Sequence, residues 1–91
     1  MSFTFQNVVN LEGDLAYYNM LIVNYNFELT SIRNLLIKLE NCPTSEKMGE
    51  ICKNITETKE DAQYFLEEIE NTSTELISNM KILDDLLEDY N

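Results

Sequence analysis

Residues 8–39 read VVNLEGDLAYYNMLIVNYNFELTSIRNLLIKL. Within this stretch Val8, Leu11, Leu15, Tyr18, Ile22, Tyr25, Leu29, Ile32, Leu36 and Leu39 follow one another at alternating spacings of three and four. Side chains three and four residues apart share one face of an α-helix, whereas a half-buried strand repeats every two. The pattern predicts a helix over residues 8–41, with Leu15, Tyr18, Ile22, Tyr25, Leu29, Ile32 and Leu36 as its core or oligomerisation seam. Leu21, Leu35 and Phe27 widen the apolar stripe beyond what a two-stranded seam needs, so this helix is expected to have two neighbours. Met20, Val23 and Ile37 add apolar surface outside the seam.

The pattern stops at Asn41-Cys42-Pro43-Thr44-Ser45-Glu46. Proline removes a backbone donor and pushes the residue before it out of helical geometry, so a turn is expected at 42–45. Thr44 or Ser45 can cap a following helix, and Glu46 falls where its positive end favours an acid. Beyond the turn Met48, Ile55, Ala62, Ile69, Leu76, Leu83 and Tyr90 recur every seven residues. A weaker companion column holds Ile51, Thr58, Phe65, Thr72, Asn79 and Leu86, and Cys52, Leu66, Met80 and Leu87 fill in beside them. Asn71-Thr72-Ser73-Thr74-Glu75 is a row of weak helix formers, and Thr72 with Glu75 fits a capping box. Two versions of the second half follow: a helix over 46–70 and a third over 73–90, or one continuous helix. Residues 1–7 are expected to be an extended arm, with Phe3 and Phe5 on one side.

The expected fold is therefore all-α and a single domain. It is an antiparallel helical hairpin or a three-helix bundle with heptad seams, and a hairpin would cover its first helix by dimerising into a four-helix bundle. Two glycines and one proline in 91 residues supply too few turns for an all-β chain.

Residue types exclude most chemistry. Without histidine there is no His-based triad, His general base or His-ligated zinc, and no glycine-rich phosphate loop occurs. Cys42 and Cys52, the only cysteines, lack companions for a four-ligand metal site. Cys52, beside the seam, reads as a small core residue; a Cys42–Cys52 disulfide is the other reading and needs an oxidising compartment. Adjacent acids such as Glu67/Glu68 and Asp84/Asp85 diverge by about 100° on a helix and do not share a pocket. No enzyme activity, metal or cofactor is expected.

Charge is the strongest compositional signal. Seventeen acids against six bases give −11, and residues 42–91 carry thirteen of the acids and four of the bases. Such a field repels nucleic acid and anionic membrane and attracts basic surfaces, so neither direct nucleic-acid nor membrane binding is expected. The N-terminus has no basic signal-peptide region, and the expected location is cytoplasmic, in the cell or in an infected host. With Met48 in the seam, Glu57, Glu60, Asp61, Glu67, Glu68 and Glu75 point away from it, and Tyr64 stands among them. A further acidic cluster, with Asp84 and Asp85, lies near the C-terminus. The plain reading of these acids is a solvated face that keeps the chain soluble. The sharper one is a carboxylate array, anchored by Tyr64, that fills a basic groove on another protein.

In length and acidity the chain resembles small phage-encoded inhibitors of host defence nucleases, some of which mimic nucleic acid; no motif carries this resemblance. Its helical-hairpin outline is similar to the small secreted proteins of type VII secretion, but their Trp-x-Gly turn is absent, as the chain has no tryptophan. The expectation is a non-catalytic module that blocks the basic surface of a partner such as a nucleic-acid-binding enzyme, and that forms a homodimer. The alternatives are a structural coiled-coil subunit, whose seams are its function, and a secreted helical-hairpin effector or its carrier partner.

Overall fold

A computed structural model describes residues 2–42 and 44–89, with side chains from Phe5 onward. The expectations resting on Phe3, Pro43 and Tyr90 lie outside the described side chains. The chain forms two long helices, α1 (Ser2–Glu40) and α2 (Ser45–Glu88). They lie side by side in opposite senses over a body of 70 × 14 × 14 Å. No strand occurs among the described residues.

Helix α1 is helical from Ser2, so residues 2–7 are not the extended arm expected of them. The reason is local. No Gly or Pro precedes Gly13, and the Gln6 side chain donates to Asn10 Oδ1 one turn on, at 3.0 Å. At the other end Asn41 Nδ2 donates to the Ile37 carbonyl at 2.9 Å and the Cys42 amide to that of Leu39 at 3.3 Å, satisfying carbonyls that the helix leaves open. Thr44, in extended backbone, caps α2: its Oγ1 accepts from the Lys47 amide at 3.2 Å, and its carbonyl from the Met48 amide at 3.1 Å. Glu46 sits in the favourable first turn of α2 and Lys38 in the favourable last turn of α1.

Helix α2 carries Asn71–Glu75 inside it. Its threonines are accommodated by returning their hydroxyls to the helix. Thr56, Thr58 and Thr74 donate to the carbonyls of Cys52, Asn54 and Glu70 at 3.0, 2.8 and 3.1 Å. Thr72 is buried instead, at 4% exposure.

The interface between the helices has a period of seven on both sides. On α2 the residues turned inward are Ile51, Ile55, Thr58, Ala62, Phe65, Ile69, Thr72, Leu76, Asn79, Leu83 and Leu86, the two columns that the spacing predicts, with Met48 exposed at the end. On α1 one predicted column is inside: Leu11, Tyr18, Tyr25, Ile32 and Leu39. Its companion is not the predicted one. Asn7, Asp14, Leu21, Glu28 and Leu35 face inward, while Leu15, Leu29 and Leu36 stand outside the seam at 50%, 45% and 46% exposure and Ile22 is half-buried.

Both choices alternate three and four, and the predicted one is richer in apolar residues. What the observed one adds is a polar match across the seam. Asn79 Nδ2 donates to Asp14 Oδ2 at 2.8 Å across the seam. Turning Asp14 outward would take this partner from the part-buried Asn79 amide, a loss of about 1 kcal/mol. Carried along by heptads, this register sets Leu21 level with Thr72, and these are the two most buried residues, at 2% and 4%. At the open end Asn7 Nδ2 is buried with no hydrogen-bond partner among the described residues. Cys52, expected in the core, is exposed, and both cysteines are free thiols.

Two stability changes follow. Leu21→Ala empties the best-buried site and should lower unfolding free energy by about 2–5 kcal/mol in urea titration. A Cβ at Gly13 would meet nothing within 4 Å, and its helical position favours alanine. Gly13→Ala should therefore raise stability by about 1 kcal/mol in the same assay.

Candidate functional site

The acids singled out from the sequence lie on one side of α2. With 100° per residue, Glu57 and Tyr64 form one column, Glu60 and Glu67 a second, and Asp61, Glu68 and Glu75 a third; the three columns span about 100° of the helix circumference. All of these residues are exposed except Glu68, which is half-buried. At 1.5 Å per residue, Glu57 and Glu75 are about 27 Å apart. No Lys or Arg occurs between Lys59 and Lys81. The continuous helix holds this array in one phase, because no break intervenes between Ser45 and Glu88.

Asp84 and Asp85 do not join it. Asp85 continues the Glu57 column, but about 30 Å beyond Tyr64. Asp84 is turned to another side, where it lines an open depression with Leu76, Ile77, Met80 and Lys81. Both sit near the C-terminal end of α2, whose last turn contains no base. Carboxylates there oppose the helix dipole and cost some stability.

Two aromatic residues shape the array. The Tyr64 ring meets Phe65 edge-on, with centroids 5.6 Å apart and planes at 69°. Phe65 is in the seam, so the exposed Tyr64 ring is steadied by a partly buried neighbour. Tyr17 reaches across from α1 and donates its hydroxyl to Glu68 Oε2 at 3.2 Å. Its hydroxyl pKa is held above the ordinary value near 10, first by desolvation, then by the Glu68 hydrogen bond and by the nearby Glu68, Tyr64 and Glu75. Helical phase alone places Tyr17 on the flank of its helix. Its link to the acids is a contact 51 positions away in sequence, which only the register between helices reveals.

Among the described residues no cluster of His, Cys, Asp or Glu could hold a metal ion, and no helix is long and apolar enough to cross a membrane. What the array can do is electrostatic: it presents a fixed row of acceptors to cationic groups.

The Tyr17 contact has a signature. A raised folded-state pKa means that its contribution to stability is present below the unfolded value near pH 10 and is lost as pH rises through the folded value. In an ultraviolet titration of the folded chain, Tyr17→Phe should remove the component ionising above the ordinary tyrosine range. Loss of a component that ionises in the ordinary tyrosine range instead would show that Tyr17 is not held by Glu68.

Comparison with protein-family models, with curated proteins and with solved structures returns no match to this chain.

Proposed function

We propose that the protein is a non-catalytic helical hairpin whose acidic ridge on α2 occupies a basic, nucleic-acid-binding groove on a partner protein. The observation that carries this reading is the alignment of Glu57, Glu60, Asp61, Glu67, Glu68 and Glu75 along one side of a continuous helix, with Tyr64 among them. Six carboxylates over about 27 Å give about one charge per 4–5 Å, against about one per 3.4 Å along a DNA strand. A groove that tracks phosphates meets a comparable density of negative charge on this ridge. Tyr64 supplies the aromatic anchor that purely ionic contacts lack. Association of this kind is fast and falls with salt.

The test is a triple reversal, Glu60→Lys, Asp61→Lys and Glu67→Lys. All three sites are exposed and lysine is a good helix former, so the fold should persist. The immobilised chain should retain a basic protein from cell lysate, release it on addition of duplex DNA or salt, and lose roughly 100-fold or more in affinity for it in the variant. Partners held equally by the variant, and indifferent to DNA, would overturn the reading.

A further inference from the structure

The two flanks of the seam differ in kind. On the flank that holds Tyr17 and Glu68, the bordering columns are Asn10, Tyr17, Asn24, Ser31 and Lys38 on α1, and Asn54, Asp61, Glu68, Glu75, Ile82 and Asp89 on α2. On the opposite flank α1 presents Val8, Leu15, Ile22, Leu29 and Leu36. The α2 column beside them is Cys52, Lys59, Leu66, Ser73, Met80 and Leu87. None of the seventeen acids stands in either of these last two columns. The helices meet there in open apolar grooves. One, of about 270 Å³, is lined by Val8, Leu11, Glu12, Leu15, Leu76 and Met80. Another, of about 150 Å³, is lined by Ile22, Tyr25, Leu29, Leu66 and Ile69 with Asn26 at its edge.

We propose that this face is covered by a second copy of the same chain, giving a four-helix bundle. Area is the first argument. A compact monomer of this mass exposes about 5,500 Å². This chain exposes 6924 Å², and the surplus of about 1,400 Å² exceeds the roughly 800 Å² per partner of a standard interface. The second is charge. Two chains of −11 repel one another unless their acids are kept apart, and the two columns of this face hold none, with Glu12 the one acid that lines its grooves. Lys59, the one charged residue in the two columns, has a stem long enough to run its ammonium to the rim. The third is need. Among the described residues only Leu21, Ala62 and Thr72 are buried, so one chain alone has little interior. A twofold pairing puts the same apolar columns on both sides of the new interface and leaves both acidic ridges outside.

Sedimentation equilibrium of the full chain at micromolar concentration should give twice the 10.6 kDa chain mass, in low salt and in molar salt alike. A monomer would overturn the proposal. Leu15→Asp with Leu29→Asp should halve the mass, and a dimer that survives this change would overturn the assigned face. Since losing the partner can also cost that variant its fold, a second measurement uses spin labels in a Cys42→Ser, Cys52→Ser background. A label at the exposed Asn19→Cys, on the column that borders this face near the middle of α1, should couple strongly to its mate in the other copy, and one at Asn24→Cys on the opposite flank should couple more weakly or not at all. Equal coupling, or the reverse order, would overturn the face. The Lys triple variant of the acidic ridge should remain dimeric, so failure of the ridge hypothesis and failure of this one are read separately.

Discussion

The hydrogen bond from Asn79 to Asp14, 2.8 Å long and inside the helix–helix seam, marks the register on which the placing of every other side chain depends. Two regular helices with heptad columns can pair in more than one register, by sliding a heptad or rotating a column. A polar pair inside the seam favours one of them, because it is made in that register alone. With Asp14 opposite Asn79, the column of Asn7, Asp14, Leu21, Glu28 and Leu35 must face α2. The fully apolar column beginning at Val8 is then displaced to one flank, and Tyr17 is brought to Glu68 on the other.

This constraint also explains how far the sequence could be read. The helical character of both halves is legible, because a three–four alternation over residues 8–39 and a seven-residue repeat from Met48 onward admit no strand, but the spacing leaves open whether Asn71–Glu75 interrupts the second helix. The inward columns of α2 are legible too, even where they hold Thr58, Thr72 and Asn79, since phase carries through from Ile55, Ile69 and Leu83. The rotation of α1 is not. Counting apolar residues favours Leu15, Leu29 and Leu36 over Asp14, Glu28 and Leu35, and the polar partner that the observed column meets, Asn79, lies 65 positions from Asp14. The acids from Glu57 to Glu75 are placed correctly relative to one another by helical phase alone. Asp84 and Asp85 are not part of that group, because adjacency in composition says nothing about separation along a rod.

The protein separates two kinds of surface that small domains usually mix. Carboxylates project from one side of α2, and hydrocarbon lines the opposite flank of the seam. The division is written into single columns: Asp61, Glu68 and Glu75 stand on one border of α2, and Leu66, Met80 and Leu87 on the other. Rotating α2 by one column would mix them. The seam register therefore sets the electrostatics of the outer surface as well as the packing of the inner one.

The elongated outline has a hydrodynamic consequence. The Cα radius of gyration is 20.4 Å, whereas a compact globule of 91 residues would have about 12 Å. A value near 20 Å belongs to a compact globule of about 360 residues, roughly four times this chain. A single copy therefore travels through a porous matrix like a much larger particle, and its tumbling differs along and across the rod. Elution volume and rotational correlation time alone will overstate its mass; scattering intensity and sedimentation equilibrium will not.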